Sequence, residues 1–261
     1  MALYILGDPH LSFSVNKPMD IFGERWKNHA EKIKENWLSL IKSEDTVILA
    51  GDLSWAISLE EARADFDFLH QLPGHKILLR GNHDYWWDTL AKMQRFFDEN
   101  EWSDFSVLQN NCIIAEGVAI CGTRGWGLDE SGEQAQKILR REGQRLEMSL
   151  KSAPPELKKV VVFHYPPVEG EDSSFLQILK KYQVGLCYYG HLHGPKAYSE
   201  APFEREGIHF QLISCDALAF KPHCISDDLS HFEAEKGKIK QNSQKILGFF
   251  RKVFSIFKSK C

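Results

Sequence analysis

Short, uninterrupted apolar runs punctuate the chain: LYIL at 3–6, TVILA at 46–50, KILLR at 76–80, KVVVF at 159–163 and GLCYY at 185–189, with a further run over 208–214. Runs of this length without alternation predict strands buried on both faces. Between them the apolar residues change period. Trp26, Ala30, Ile33, Trp37, Leu40 and Ile41 recur at helical spacing over 25–42. A second helix is expected over 59–70, with Ser58 at its N-cap and Glu61 in the capping-box position. Further helices are expected at 88–98, 131–151 and 173–182, the second of these closed by Pro154 and Pro155. Residues 105–121 read as short β elements, and 222–243 as polar and loosely structured. Strands alternating with helices make this an α/β chain.

The polar residues that follow the strands carry the chemistry. Five runs end in Asp8-Pro9-His10, Gly51-Asp52, Gly81-Asn82-His83-Asp84, His164 and Gly190-His191-Leu192-His193. Each cluster alone is compatible with ordinary turn chemistry. Together they place five loops at the carboxyl ends of strands, where α/β folds bind ligands. Imidazoles, carboxylates and one amide, with no thiolate, suit Mn²⁺, Fe or Zn²⁺ rather than Ca²⁺ or a structural zinc. Seven donors exceed the needs of one tetrahedral ion and suit two ions that share a carboxylate.

The order D-x-H, G-D, G-N-H-D, H, G-H-x-H resembles the calcineurin-like metallophosphoesterase family over roughly residues 3–220. The flanking GDLSWA, GNHDYWW, GTRGW and YGHLHG are similar to a group of bacterial phosphohydrolases within it. The resemblance implies a two-sheet β-sandwich flanked by helices on both faces. It implies Asp8, His10 and His193 on one metal, Asn82, His164 and His191 on a second, and Asp52 bridging them. It places His83 over the phosphate to assist the leaving group, with Asp84 holding its ring. A hydroxide between the ions would then attack a phosphate monoester or diester, most simply of a small molecule. Arg124 and Trp126, in the GTRGW loop, are candidate substrate contacts, since a guanidinium can clamp a phosphate bidentately. An ion-paired surface arginine is the equal alternative. Trp55, Trp86 and Trp87 read as walls or packing rather than stacking platforms.

Composition narrows the classes. The chain has 261 residues, 43% apolar and 26% charged, enough for one sizeable domain. The net charge is −4, yet 236–261 holds eight basic residues and no acid, so the remainder carries −12. That body is a poor partner for nucleic acid. The six cysteines form no C-x-x-C pair, and the N-terminus has no basic stretch before an apolar core, so reduced thiols and a cytoplasmic location are expected. The domain is expected over 1–232, followed by a basic tail over 233–261. Within the tail, 245–258 separates phenylalanines and aliphatics from lysines and arginine on a helical wheel. An anionic membrane surface is one partner for such a helix over 244–258, and its own domain or another chain are others. A membrane-surface hydrolase of a lipid-linked phosphate or pyrophosphate is therefore the second enzymatic reading. Residues 11–24 are a polar insertion placed to cover the site. A non-catalytic scaffold of the same fold is the competitor from another class, disfavoured because every ligand and His83 are present.

Overall fold

The computed structural model describes residues 1–127, 132–168 and 174–232. It divides the chain into two units, Met1–Cys224 and Ile225–Cys261. Of the second, residues 225–232 are described and are helical. The amphipathic stretch at 245–258 and the rest of the tail lie outside the described residues.

The first unit holds two sheets. β1 (Leu3–Leu6), β2 (Thr46–Ala50), β3 (His75–Leu79) and β4 (Phe105–Val107) run parallel, and β11 (His223–Cys224) pairs antiparallel with β1. The second sheet has β6 (Val118–Thr123), β7 (Lys158–Phe163), β8 (Leu186–Tyr189) and β10 (Ile208–Leu212) in parallel. Its antiparallel edges are β5 (Ile113–Ala115) and β9 (Phe203–Arg205).

Alternation along each strand sets the layers. On β2, Val47 and Leu49 join a core with α1 (His29–Leu40), α2 (Leu59–His70) and α3 (Leu90–Glu99), through Ile33, Trp37, Phe66 and Phe97. Ile48, Leu3, Ile5 and Ile77 point the other way and are equally buried. On the second sheet, Cys121, Val161, Phe163 and Cys187 pack with α4 (Glu133–Ser152) and α5 (Ser174–Lys181). Ile120, Val160, Val162 and Tyr188 face inward and are buried. Two sheets buried on both faces and capped by helices outside form the layered sandwich that the family resemblance implied. The sheets are also joined directly. The Gly7 N–H donates to Ile213 O at 2.7 Å, and the Cys215 N–H to Gly7 O at 2.8 Å.

Most expected elements are present with ends moved by a residue or two. Helix α2 starts as its sequence predicts, with Ser58 Oγ accepting the Glu61 N–H at 3.3 Å. Glu61 reaches back to the Ile57 N–H at 3.0 Å. The first helix begins later than expected. Residues Glu24–Trp26 form a 3-10 turn instead, and Asn28, at φ 52°, turns the chain into α1. β9, β11 and the short helix α6 (Pro195–Ser199) were not foreseen, being too short or too polar to show a period. None of the five described cysteines is in a disulfide. No helix among the described residues is long and apolar enough to cross a membrane.

Candidate metal centre

The strand-end loops converge. Asp8, His10 and His193 present one donor atom each within 4.8 Å of one another, and so do Asp52, His164 and His191. Asn82 joins the second group, its Oδ1 lying 2.7 Å from His164 Nε2. Asp52 faces both groups, with Oδ2 at 3.8 Å from His10 Nε2 and Oδ1 at 3.5 Å from His164 Nε2. Each group draws on both sheets. Asp8, His10, Asp52 and Asn82 follow strands of the first, while His164, His191 and His193 follow strands of the second.

The backbone bends to achieve this. Asp8, His10, Asp52 and His191 sit at φ 57°, 47°, 50° and 69°, in the left-handed region that residues with a Cβ seldom occupy. Strain concentrated on four candidate ligands is what a functional site would impose. Two glycines make room. A Cβ on Gly81 would overlap Asp52 Oδ1 and Asp52 N, and one on Gly190 would lie 2.5 Å from Asp8 Oδ2.

Hydrogen bonds fix the donors. Both oxygens of Asp8 accept the His191 N–H, at 3.1 and 3.0 Å, and Asp52 Oδ1 accepts the His83 N–H at 2.8 Å. Asp216 Oδ1 lies 2.8 Å from His193 Nδ1, and its Oδ2 accepts from the Tyr198 hydroxyl. This holds the His193 ring and leaves its Nε2 free to bind a cation. Sequence reasoning missed Asp216. It lies just past the run at 208–214, so carrying the strand-end rule through Ser214-Cys215-Asp216 would have found it.

Asp84 does not hold the His83 ring as the resemblance implied. The Asp52 N–H (2.9 Å) and Gly81 N–H (2.7 Å) donate to one of its oxygens. The Leu53 N–H (2.8 Å), Ser54 N–H (3.4 Å) and Trp86 indole (3.1 Å) donate to the other. It is a clamp between the β2 and β3 loops. His83 Nδ1 is buried with no hydrogen-bond partner among the described residues, and the ring lies 4.4 Å from that of Trp55.

Electrostatics show what the donors lack. Burial pushes the Asp8 carboxyl up to about 6, against the pull of His193. Burial, with the Asp84 and Asp8 charges adding to it, pushes Asp52 up to about 9. Burial also takes His10 and His164 well below the ordinary histidine value, helped by neighbouring imidazoles. Two buried carboxylates facing neutral imidazoles, with His10 Nδ1 unpartnered, form a donor set that divalent cations fit.

A cavity of about 610 Å³ opens over this floor. His10, Asp52, His83, His191, His193 and Asp216 form its polar side, and Met19, Phe22, Trp26, Trp55, Pro195 and Tyr198 its apolar wall. The 11–24 insertion contributes Met19 and Phe22, so it walls the site. Trp86 and Trp87 are buried in the first core. Arg124 is not part of this cavity. It lines a smaller one, with its guanidinium 5.0 Å from the Trp126 ring.

No curated protein matches the chain. Among solved structures, a Thermus thermophilus protein is 14% identical, with a TM-score of 0.52, over 86% of this chain and 98% of that one. A protein of unknown function from Aquifex aeolicus is 19% identical, with a TM-score of 0.48, over 88% and 98%. A phosphopantetheinyl hydrolase from Mycobacterium tuberculosis is 15% identical, with a TM-score of 0.49, over 82% and 88%. At such identities the first shows the fold alone. The model of one family, calcineurin-like phosphoesterase, matches residues 1–195, a span that carries all seven candidate ligands and His83. The chain belongs to the calcineurin-like phosphoesterase family.

Proposed function

We propose that this metal-dependent phosphoesterase hydrolyses phosphate esters of small molecules over the two ligand groups, with His83 assisting the departing oxygen. The observation that carries this is the shared floor: two donor groups meeting at Asp52, with His83 opening onto the same cavity. Two divalent ions, of which Mn²⁺, Fe and Zn²⁺ suit the donors, would supply an activated water and neutralise charge on the phosphoryl oxygens. The chain supplies the rest. Asp216 orients His193, and Asp84 holds the loops that carry Asp52 and Asn82. Burial, followed by the charges of His193 and Lys17, lowers the His83 pKa. Its ring is thus neutral at neutral pH and keeps one N–H to donate to the leaving oxygen. The surrounding body is acidic, so an anion is favoured only where cations gather.

Chelated protein is expected to lose turnover of mono- and bis-aryl phosphates and to regain it on adding metal. The preference between the two substrates separates monoesterase from diesterase. His83→Gln is expected to lower kcat by about 10²–10⁴-fold for a poorly leaving alkyl phosphate, and by less for a nitrophenyl one. Full activity in chelated protein would overturn the reading, as would metal-loaded protein inert to every ester, which the scaffold alternative predicts.

The apolar wall favours a second reading, a lipid-linked phosphate or pyrophosphate taken at a membrane surface. Phe22, on the cavity wall, and its chain neighbour Ile21 are 63% and 72% exposed. Turnover of a lipid phosphate in anionic vesicles above that of a short-chain analogue would support it, and equal rates would remove it.

A further inference from the structure

A second cavity, of about 60 Å³, is lined by Arg80, Arg124 and Arg145, which face a single carboxylate, Glu142. Glu142 is fully buried and already committed. Its Oε2 accepts from the Thr123 hydroxyl at 2.6 Å and its Oε1 from Arg145 Nη1 at 2.7 Å. Arg80 and Arg124 are partly exposed, and Asp84 and Glu142 attract Arg80 without pairing with it. Neither makes an ion pair or side-chain hydrogen bond with the described residues, and the Nε of each is buried and unpartnered. Trp126 packs against the Arg124 guanidinium, whose Cζ lies 5.0 Å from the ring centre. The like charges of Arg124 and Arg145 oppose that of Arg80 across one small cavity, and an anion between them would relieve this. Arginine forks match the oxygens of phosphoryl groups. The volume is about that of two waters, room for one tetrahedral anion.

We propose that Arg80, Arg124 and Arg145 form a phosphoryl-anion site separate from the metal-ligand cavity. It is a close neighbour of the metal centre. Arg80 lies two residues before Asn82, and the Arg124 carbonyl accepts the N–H of His164 at 3.2 Å. The anion is either a second phosphoryl group of the substrate or free inorganic phosphate. The substrate source rests on the phosphoesterase reading, and the site itself does not.

Inorganic phosphate titrated into the full-length, chelated protein tests the site apart from catalysis. Phosphate is expected to raise the Tm of wild type saturably. Arg80→Gln and Arg124→Gln are expected to weaken phosphate binding at least about tenfold, the equivalent of one charge-assisted hydrogen bond. Arg124→Lys keeps the charge without the fork and is expected to bind between the two. His83→Gln, in the other cavity, is expected to keep the wild-type response. With metals restored, a KM rise in the arginine variants confined to aryl esters bearing a second phosphate assigns the site to substrate. An equal KM effect on both ester types, with phosphate binding weakened, assigns it to free phosphate. No phosphate effect on wild type, or one that survives both glutamine variants, overturns the site. Retained phosphate binding in a protein inert to all esters would fault the phosphoesterase reading alone.

Discussion

Alanine at position 81 tests whether the glycine before Asn82 is there to make room for Asp52. The added methyl would overlap Asp52 Oδ1 and the Asp52 nitrogen and lie 2.9 Å from Asp52 Cγ, where carbon contacts settle near 3.5–4.0 Å. Gly81 has no positive φ, so the perturbation is steric rather than conformational. Relief needs a shift of the Asp52 carboxylate by about 1 Å, against a tolerance of about 0.2 Å in metal–ligand distances. The shift also breaks the His83 N–H bond to Asp52, worth about 1.5–3 kcal/mol, on top of about 1–3 kcal/mol of overpacking. The expected loss is about 2.5–6 kcal/mol, a Tm drop of roughly 5–25 °C. A misplacement of this size also lowers kcat by about 10²-fold. Elemental analysis after gel filtration, calorimetry and aryl phosphate turnover measure the three effects. Gly143→Ala in α4 is the control. Its methyl would meet Ile178 at 3.4 Å, an ordinary contact, and is expected to leave metal content unchanged. A Gly81→Ala protein that holds two metal equivalents and keeps kcat within about threefold, well inside the 10² above, would refute the reasoning.

Asp216→Asn keeps the shape beside His193 but loses the carboxylate, and is expected to weaken metal binding about 10–100-fold in a competition assay with a chromogenic chelator. In metal-free protein, Asp8 and Asp52 titrate above their unfolded values, so the folded state holds protons that the unfolded state has released. Stability of that form is therefore present at low pH and lost as pH rises from about 4 through about 9. Metals need the ionised carboxylates, so the Tm gain on adding metal is expected to grow between pH 5.5 and 8 by calorimetry, and a gain that shrinks would contradict this. Trp55→Ala removes a wall of the larger cavity and the ring packed on His83, and is expected to raise KM for aryl esters more than for methyl phosphate.

The strands and the candidate ligand clusters at their ends were legible because their signals are local. A run such as TVILA needs no knowledge of its neighbours to read as a buried strand, and Gly-Asp after it marks the turn. Asp84 was misread because its role depends on which backbone N–H groups the β2 loop brings to it, and spacing carries no record of that. Asp216 was overlooked because one aspartate after a strand is unremarkable until His193 lies beside it. The 3-10 turn at 24–26 escaped for a related reason. Trp26 fits helical spacing, yet its ring packs edge-on against His10, His193 and Phe220, which belong to distant parts of the chain.

That each donor group takes residues from both sheets has a mechanical consequence. An ion bound by Asp8, His10 and His193 would act as a cross-link through the middle of the sandwich, and so would one bound by Asn82, His164 and His191. Separating the layers then requires releasing ions, so metal would slow unfolding as well as shift its equilibrium. The lifetime of the loaded protein against a protease would follow the rate at which the ions depart.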